Sequence, residues 1–444
     1  MQIVRKHLLF VPGLLLLFSW TVVLVLRSVP FLDFTPIGLE ASCFLAGFFV
    51  LFFLGAVLYP LYSSGFRCEK RYVTYSEEKV LKSANRLMIV SLIVSGALVY
   101  KFFLLNGFSF SLAEVTELRL SRGRDSSLQQ GSTFAGIIGM AFSGFFVLAY
   151  IFCVYFQKYL SKSKARQLFI VFIIGIFVSF LSGGRFVAAI ALLIAYLSNY
   201  AYKLRFGIKK KSKLSSKLLY ILLGFVVIYV FSIIFIDRTG HSSGDSHELM
   251  LVLDNNLPGL AVPDFIRSYF SNNPEFAQYY FVLASTVYYA CHGVFQFDVL
   301  YSADYPEQAP YFFAYQFYLQ GILVNKLGLN VVSIQEILAS IPNPGVYFTL
   351  AGAFYLDFGA IGSLPVIFIV AIFGAYFWSR FLIVGDFFSF YISLLFLTLI
   401  VFSPIVAITS AGVYPSLIIL IFCLKLFIPK GRLAFYQEGI HFER

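Results

Sequence analysis

Charge is what this chain has least of. Only 12% of its 444 residues are Asp, Glu, Lys or Arg, about half the share in an ordinary soluble domain. That shortage excludes a soluble enzyme, a disordered chain and a nucleic-acid binder. The five cysteines, Cys43, Cys68, Cys153, Cys291 and Cys423, are scattered, and three sit in apolar runs. They imply no disulfide framework. A Gly-rich phosphate loop is missing, which argues against an ATP-driven pump. No Cys/His group has zinc spacing; His241 and His247 stand in a Ser/Gly loop and read as solvated. Neither a G-x-S-x-G elbow nor a Ser-His-Asp order is visible. We therefore expect no cofactor and no metal.

What the chain has instead is apolar length. It is 59% hydrophobic and 19% aromatic, with a mean hydropathy of +0.84. A bilayer core needs roughly 20 apolar residues in helix. Ten such runs occur, near 8–26, 39–61, 87–105, 132–156, 168–182, 186–202, 218–236, 361–379, 387–404 and 406–424. The fold class expected is an all-α polytopic membrane protein with about ten transmembrane helices. The first run follows Arg5, Lys6 and His7 without a small-x-small cleavage site and reads as an uncleaved anchor.

Charge orients the spans. Alternating them from an inner N-terminus puts 24 of the 33 basic residues inside. Eight fall outside: Arg27, Arg119, Arg122, Arg124, Arg185, Arg238, Arg267 and Lys326. Lys101 lies within a span. Every short loop then obeys the positive-inside rule, and both termini are cytoplasmic. The net charge of +11 is mostly inner-loop charge.

Three regions follow: a bundle of about seven helices over 1–236, a large outer loop over 237–345, and further spans with a short tail over 346–444. The loop carries ten acidic and three basic residues. Its aromatic stretch 279–300 reads as an amphipathic helix on the membrane surface. The alternative is a crossing pair near 279–300 and 311–329, giving twelve spans.

Outer-face arginines are the chemical signal. Arg185 ends the turn Ser182-Gly183-Gly184-Arg185 between runs of only 15 and 17 apolar residues, which places it below the outer surface. Charge at such depth usually marks a site. Arg119, Arg122 and Arg124 cluster with Glu114, Glu117 and Asp125. Guanidinium forks suit phosphate and pyrophosphate oxygens. Arg238 and Arg267 add two more beside many aromatics, which can stack on sugar rings.

Two segments carry a family resemblance. Phe180-Leu-Ser-Gly-Gly-Arg185 resembles the Gly-rich, Arg-ending turn of the O-antigen polymerases, the Wzy-type oligosaccharide repeat-unit polymerases. The run from Gly352 through Tyr355, Asp357, Phe358 and Gly359 to Gly362 resembles that family's segment entering the span after the long loop. The segment 346–362 also reads as a re-entrant apolar helix chosen for packing, with Asp357 as an interfacial cap. The resemblance implies an inner-membrane enzyme with a periplasmic active site. Its substrate would be undecaprenyl-pyrophosphate-linked oligosaccharide in the lipid bilayer, with a chain-length regulator as a further partner. It implies metal-independent glycosyl transfer: Arg185 on the pyrophosphate, Arg238 and Arg119 or Arg122 assisting, with Arg124 and Arg267 as further candidates. Candidates for the general base are His292, Asp264, Glu336 and Asp357, and the sequence does not choose among them. The competing functions are an O-antigen ligase and a transporter or flippase of the same lipid-linked sugar.

Overall fold

The computed structural model describes residues 5–64, 72–106, 141–181, 185–206, 250–251, 253–255, 257–303, 310–316, 332, 334–341, 348–410 and 413–434. It is helical almost throughout, as composition demands, because only helices and closed barrels satisfy backbone groups in lipid. The long helices are α1 (Val11–Arg27), α2 (Leu39–Ser64), α3 (Glu77–Asn106), α4 (Phe145–Tyr155), α5 (Lys162–Leu181) and α6 (Arg185–Phe206). After them come the short α7 (Asp264–Asn272), the long α8 (Ala277–Ser302), the short α9 (Ile334–Ala339), then α10 (Leu350–Ile383), α11 (Phe387–Phe402) and α12 (Tyr414–Phe427). The protein is an all-α polytopic membrane protein. Nine of the ten expected spans have a helix among the described residues; the run 218–236 lies outside them.

Close packing rests on small residues and on polar groups that reach across helices, since lipid supplies no hydrophobic drive between spans. A side chain at Gly55 of α2 would stand 2.6 Å from Ala371 Cβ and from Phe368 O of α10. Gly374 of α10 makes room for the Phe396 ring of α11. Trp20 Nε1 donates to Ser403 Oγ at 3.0 Å and Ser19 Oγ to Ile400 O at 3.2 Å, tying α1 to α11. Tyr391 and Tyr414 hydroxyls donate to Leu417 O and Leu395 O, locking α11 to α12. Large apolar residues such as Phe18, Ile93, Phe177 and Phe373 stay exposed and form lipid-facing surface.

One end of the bundle collects both ends of the described chain. A 3-10 turn at Lys6–Phe10 packs on α2 and α10, and Trp378 Nε1 donates to Leu8 O at 2.8 Å. There too β2 (Tyr72–Thr74) pairs antiparallel with β4 (Arg432–Ala434). Arg380 bridges Asp386 at 3.2 Å, and Asp386 caps α11 through Ser389 N.

At the opposite end, β1 (Asp33–Phe34) pairs antiparallel with β3 (Leu260–Ala261). This joins the α1–α2 connection to the long loop. Gly259 adopts φ +80, a conformation that favours glycine, and its carbonyl accepts from Thr35 N at 3.0 Å. The long helix α8 lies across this end. Tyr280 Oη donates to Phe31 O at 2.7 Å, the Cys291 thiol reaches Val23 O, and Asp298 Oδ1 accepts from Gly38 N at 3.0 Å. These partners sit at the exit of α1 and the entry of α2.

Several span limits differ from expectation. The helix expected at 361–379 begins at Leu350 and is interrupted at Gly359, whose φ 70 and ψ −179 are not helical. The run 406–424 does not start as helix. Pro404 follows the last turn of α11, residues 403–410 form a connection at the far end, and Pro415 sets the first turn of α12. The helices α5 and α6 have 20 and 22 residues, longer than their apolar runs, because Lys162, Lys164, Lys203 and Arg205 continue them at the end that holds the termini.

Candidate active site

The far end gathers three pieces of chain around the 403–410 connection. Leu350 N donates to Ser403 O at 2.9 Å and Ala407 N to Phe348 O at 2.7 Å. From α8, Gly293 meets the same connection: a Cβ there would lie 2.4 Å from Ile405 O and 3.3 Å from Thr349 N. From α6, the Phe186 ring stands 5.2 Å from that of Phe402. The start of α6, Arg185, is thus beside the same connection that backs the residue after His292. The Arg185 side chain lies outside the described residues, as do Arg119, Arg122, Arg124 and Arg238.

His292 is 4% exposed. Its Nδ1 is 3.0 Å from Tyr289 O, so that nitrogen carries the proton and Nε2 keeps the lone pair. The Tyr288 ring stacks on the imidazole at 5.3 Å and the Tyr289 ring meets it edge-on. Burial pushes the imidazole below its ordinary value, against the opposing effect of the Tyr289 and Tyr288 carbonyls. Buried beside the Tyr288 and Tyr289 rings, the imidazole is biased toward its neutral form, in which Nε2 is the unprotonated nitrogen.

The other base candidates are placed differently. Asp357 is fully buried, and its carboxylate accepts from Tyr315 N at 3.0 Å and Gln316 N at 3.2 Å. Asp264 opens α7 with an exposed side chain, and Glu336 is exposed on α9. Arg267 is held by Asp254, donates to Val262 O at 3.0 Å and stands 4.0 Å from Asp264. This charged group touches α8 near Tyr280, through the Phe270 ring. Tyr280 precedes His292 by twelve residues, about 18 Å along a helix. So the structure does not bring Asp264 and Arg267 to His292.

Sequence reasoning passed over Arg27. Its Nη2 donates to Thr35 O at 2.9 Å, and its guanidinium lies 5.0 Å from the Phe34 ring centroid. Asp298 and Cys291 of α8 are close enough to act on its charge. Nη1 is buried and, among the described residues, has no hydrogen-bond partner; the same holds for Thr409 Oγ1 in the 403–410 connection. An arginine directly after the first apolar run was the available signal.

A family model for "O-antigen polysaccharide polymerase Wzy" matches residues 8–254, more than half the chain. The chain belongs to this polymerase family. The match includes residues 182–185 and 119–124, whereas His292 and residues 352–362 lie beyond it. No curated protein and no solved structure matches the chain. Family membership makes this a membrane-embedded polymerase of polysaccharide biosynthesis, acting on lipid-linked oligosaccharide repeat units.

Proposed function

We propose that this Wzy-family chain extends O-antigen at the periplasmic face of the bacterial inner membrane. The glycan carried on undecaprenyl pyrophosphate moves to the terminal sugar of an incoming lipid-linked unit. The bond between the anomeric carbon and the phosphate oxygen breaks, and undecaprenyl pyrophosphate departs with the electron pair. A hydroxyl oxygen of the incoming sugar forms the new glycosidic bond and gives its proton to a base. The observation that carries this reading is the family match over residues 8–254.

Arg185, assisted by Arg238 and by Arg119 or Arg122, meets the pyrophosphate charge that grows as the bond breaks. Fixed guanidinium groups suit that task without a metal. Arg124 remains a further candidate, whereas Arg267, held by Asp254 away from His292, does not. His292 is the base we favour, because its Nε2 can take a proton, whereas the Asp357 oxygens already serve two backbone N–H groups. In this reading residues 1–236 and 346–444 form the membrane bundle, 237–345 the periplasmic loop, and both termini are cytoplasmic.

The test is the surface glycan of a strain lacking this protein. A lost polymerase leaves surface molecules capped with one repeat unit and no ladder. Absence of even the one-repeat band would assign a transporter instead. Polymer retained on the lipid carrier, with none on the acceptor, would assign a ligase.

A further inference from the structure

The buried side of α8 that carries His292 is polar at three successive turns. Tyr288, His292 and Gln296 follow one another at four-residue spacing, so they share one face of the helix. They are 5%, 4% and 1% exposed. Polar side chains are kept that deep when hydrogen bonds hold them. Tyr288 Oη donates to Pro258 O at 3.1 Å, and the Gln296 side chain hydrogen-bonds the same hydroxyl. Gln296 stands about 12 Å beyond Tyr288 along the helix axis. A tyrosine whose hydroxyl meets a partner so far along lies lengthwise over the residue between them, and that residue is His292. The rings agree with this. The Tyr288 plane is inclined by 25° to the imidazole, with centroids 5.3 Å apart.

The hydroxyl is tied to a point set from outside α8. Pro258 precedes Gly259, whose φ is +80 and whose carbonyl accepts from Thr35 N at 3.0 Å. Leu260 and Ala261, next in the chain, pair with Phe34 and Asp33. Phe295 of α8 packs on Gly259, where an added Cβ would stand 2.6 Å from its ring. The α1–α2 connection therefore fixes the Pro258 carbonyl, and through it the Tyr288 ring. Meanwhile His292 Nδ1 is committed to Tyr289 O. Burial and the carbonyls of Tyr289 and Tyr288 are what act on the imidazole charge. Arg27 of α1 and Asp298 of α8 lie on the Cys291 side of the helix, about 100° round from His292.

We propose that Tyr288 is the positioning residue of the base. Its hydroxyl, tied to Pro258 O and Gln296, fixes the phenol ring over the His292 imidazole. The ring in turn holds the imidazole in the plane that leaves Nε2 to take the proton of the attacking sugar hydroxyl. The inference rests on the reading of His292 as base. Tyr288 acts through the histidine and not on the substrate.

Polymerisation by the purified protein, followed against pH in detergent, is the first test. In wild type the rate rises with pH as the imidazole loses its proton, and burial puts that limb below the ordinary value of about 6.5. Tyr288→Ala uncovers the imidazole, so the limb should move up toward about 6.5. Its kcat should fall about ten-fold, with KM changed less than about two-fold, because the loss is one of orientation. Tyr288→Phe keeps the ring and loses both hydroxyl bonds. Its limb should stay near that of wild type while kcat falls about three-fold. A tyrosine that served stability alone would lower the thermal midpoint and leave the limb where it was. A folded Tyr288→Ala protein with the wild-type limb overturns the proposal. If that variant does not fold, Tyr288→Phe decides, and a wild-type kcat overturns the proposal. The second test needs no catalysis. Diethylpyrocarbonate acylates neutral imidazole, and mass spectrometry of the His292 peptide reads the rate, with exposed His7 as internal reference. Acylation should be about ten-fold faster in Tyr288→Ala than in wild type, since a buried ring becomes accessible; equal rates overturn the proposal. Full polymerisation by His292→Gln would overturn the base reading, and faster acylation in Tyr288→Ala would still uphold Tyr288 as the group that seats the imidazole.

Discussion

Gly293→Ala is the sharpest perturbation of the far end. The added Cβ would stand 2.4 Å from Ile405 O, whereas ordinary contacts begin at 3.4 Å, so about 1 Å must be found. The obstacle is backbone and cannot swing away. Ile405 N donates to Phe402 O at 2.9 Å, and Ala407 N, two residues on, donates to Phe348 O at 2.7 Å. Overpacking of this kind costs about 1–3 kcal/mol. Displacing α8 also displaces His292, and a misplacement of about 1 Å at a reacting group can cost about a hundred-fold in rate. The assay is polymerisation by purified protein together with its thermal midpoint in detergent. Gly47→Ala is the control, because nothing lies within 4 Å of its added Cβ; it should leave both quantities near wild type. A Gly293→Ala protein with wild-type rate and midpoint would refute the placement of α8 against the 403–410 connection.

Two further predictions follow from the same end. Arg185→Ala should abolish the glycan ladder while the one-repeat band persists, and lysine should rescue poorly because it lacks the planar fork; an intact ladder at normal expression removes Arg185 from the site. Burial holds the folded His292 imidazole below its ordinary value, so the unfolded chain binds the proton first as pH falls. Its contribution to stability is complete above about pH 6.5 and is lost as pH drops toward the folded value. The thermal midpoint should therefore fall more between pH 7.5 and 5.5 in wild type than in His292→Gln, and equal falls would show that His292 is not the buried neutral group described.

Much of the fold was legible because hydropathy and loop charge report directly on membrane crossing. The runs at 8–26, 39–61 and 387–404 became α1, α2 and α11 with small shifts at their ends. The helix before Gly359 and the span after it read separately in the sequence, as a re-entrant segment over 346–362 and a span from 361, but the break itself was not legible, since one glycine in an apolar run leaves the hydropathy unchanged. Nor was the start of α12: Pro404 and Pro415 were visible, but the 403–410 connection is held by Phe348 and Gly293, partners far away in sequence. The site was partly readable. Arg185 and His292 were singled out for residue type and position, and the structure sets the start of α6 and the middle of α8 against one connection. Asp357 was legible only as a lone acid in an apolar segment, which suits a base or an interfacial cap. Its task of gathering Tyr315 N and Gln316 N depends on a turn about forty residues earlier. Arg27 was overlooked because a basic residue at the end of a span ordinarily faces headgroups.

The central claim is that this chain itself forms the glycosidic bond and does so without a metal. Purified protein in lipid vesicles, given undecaprenyl-pyrophosphate-linked repeat units and a strong chelator, tests it most directly. The account predicts products of two or more repeat units, with one undecaprenyl pyrophosphate released per bond formed. Movement of intact lipid-linked units across the vesicle without bond formation, or activity that returns only on adding a divalent ion, would contradict it.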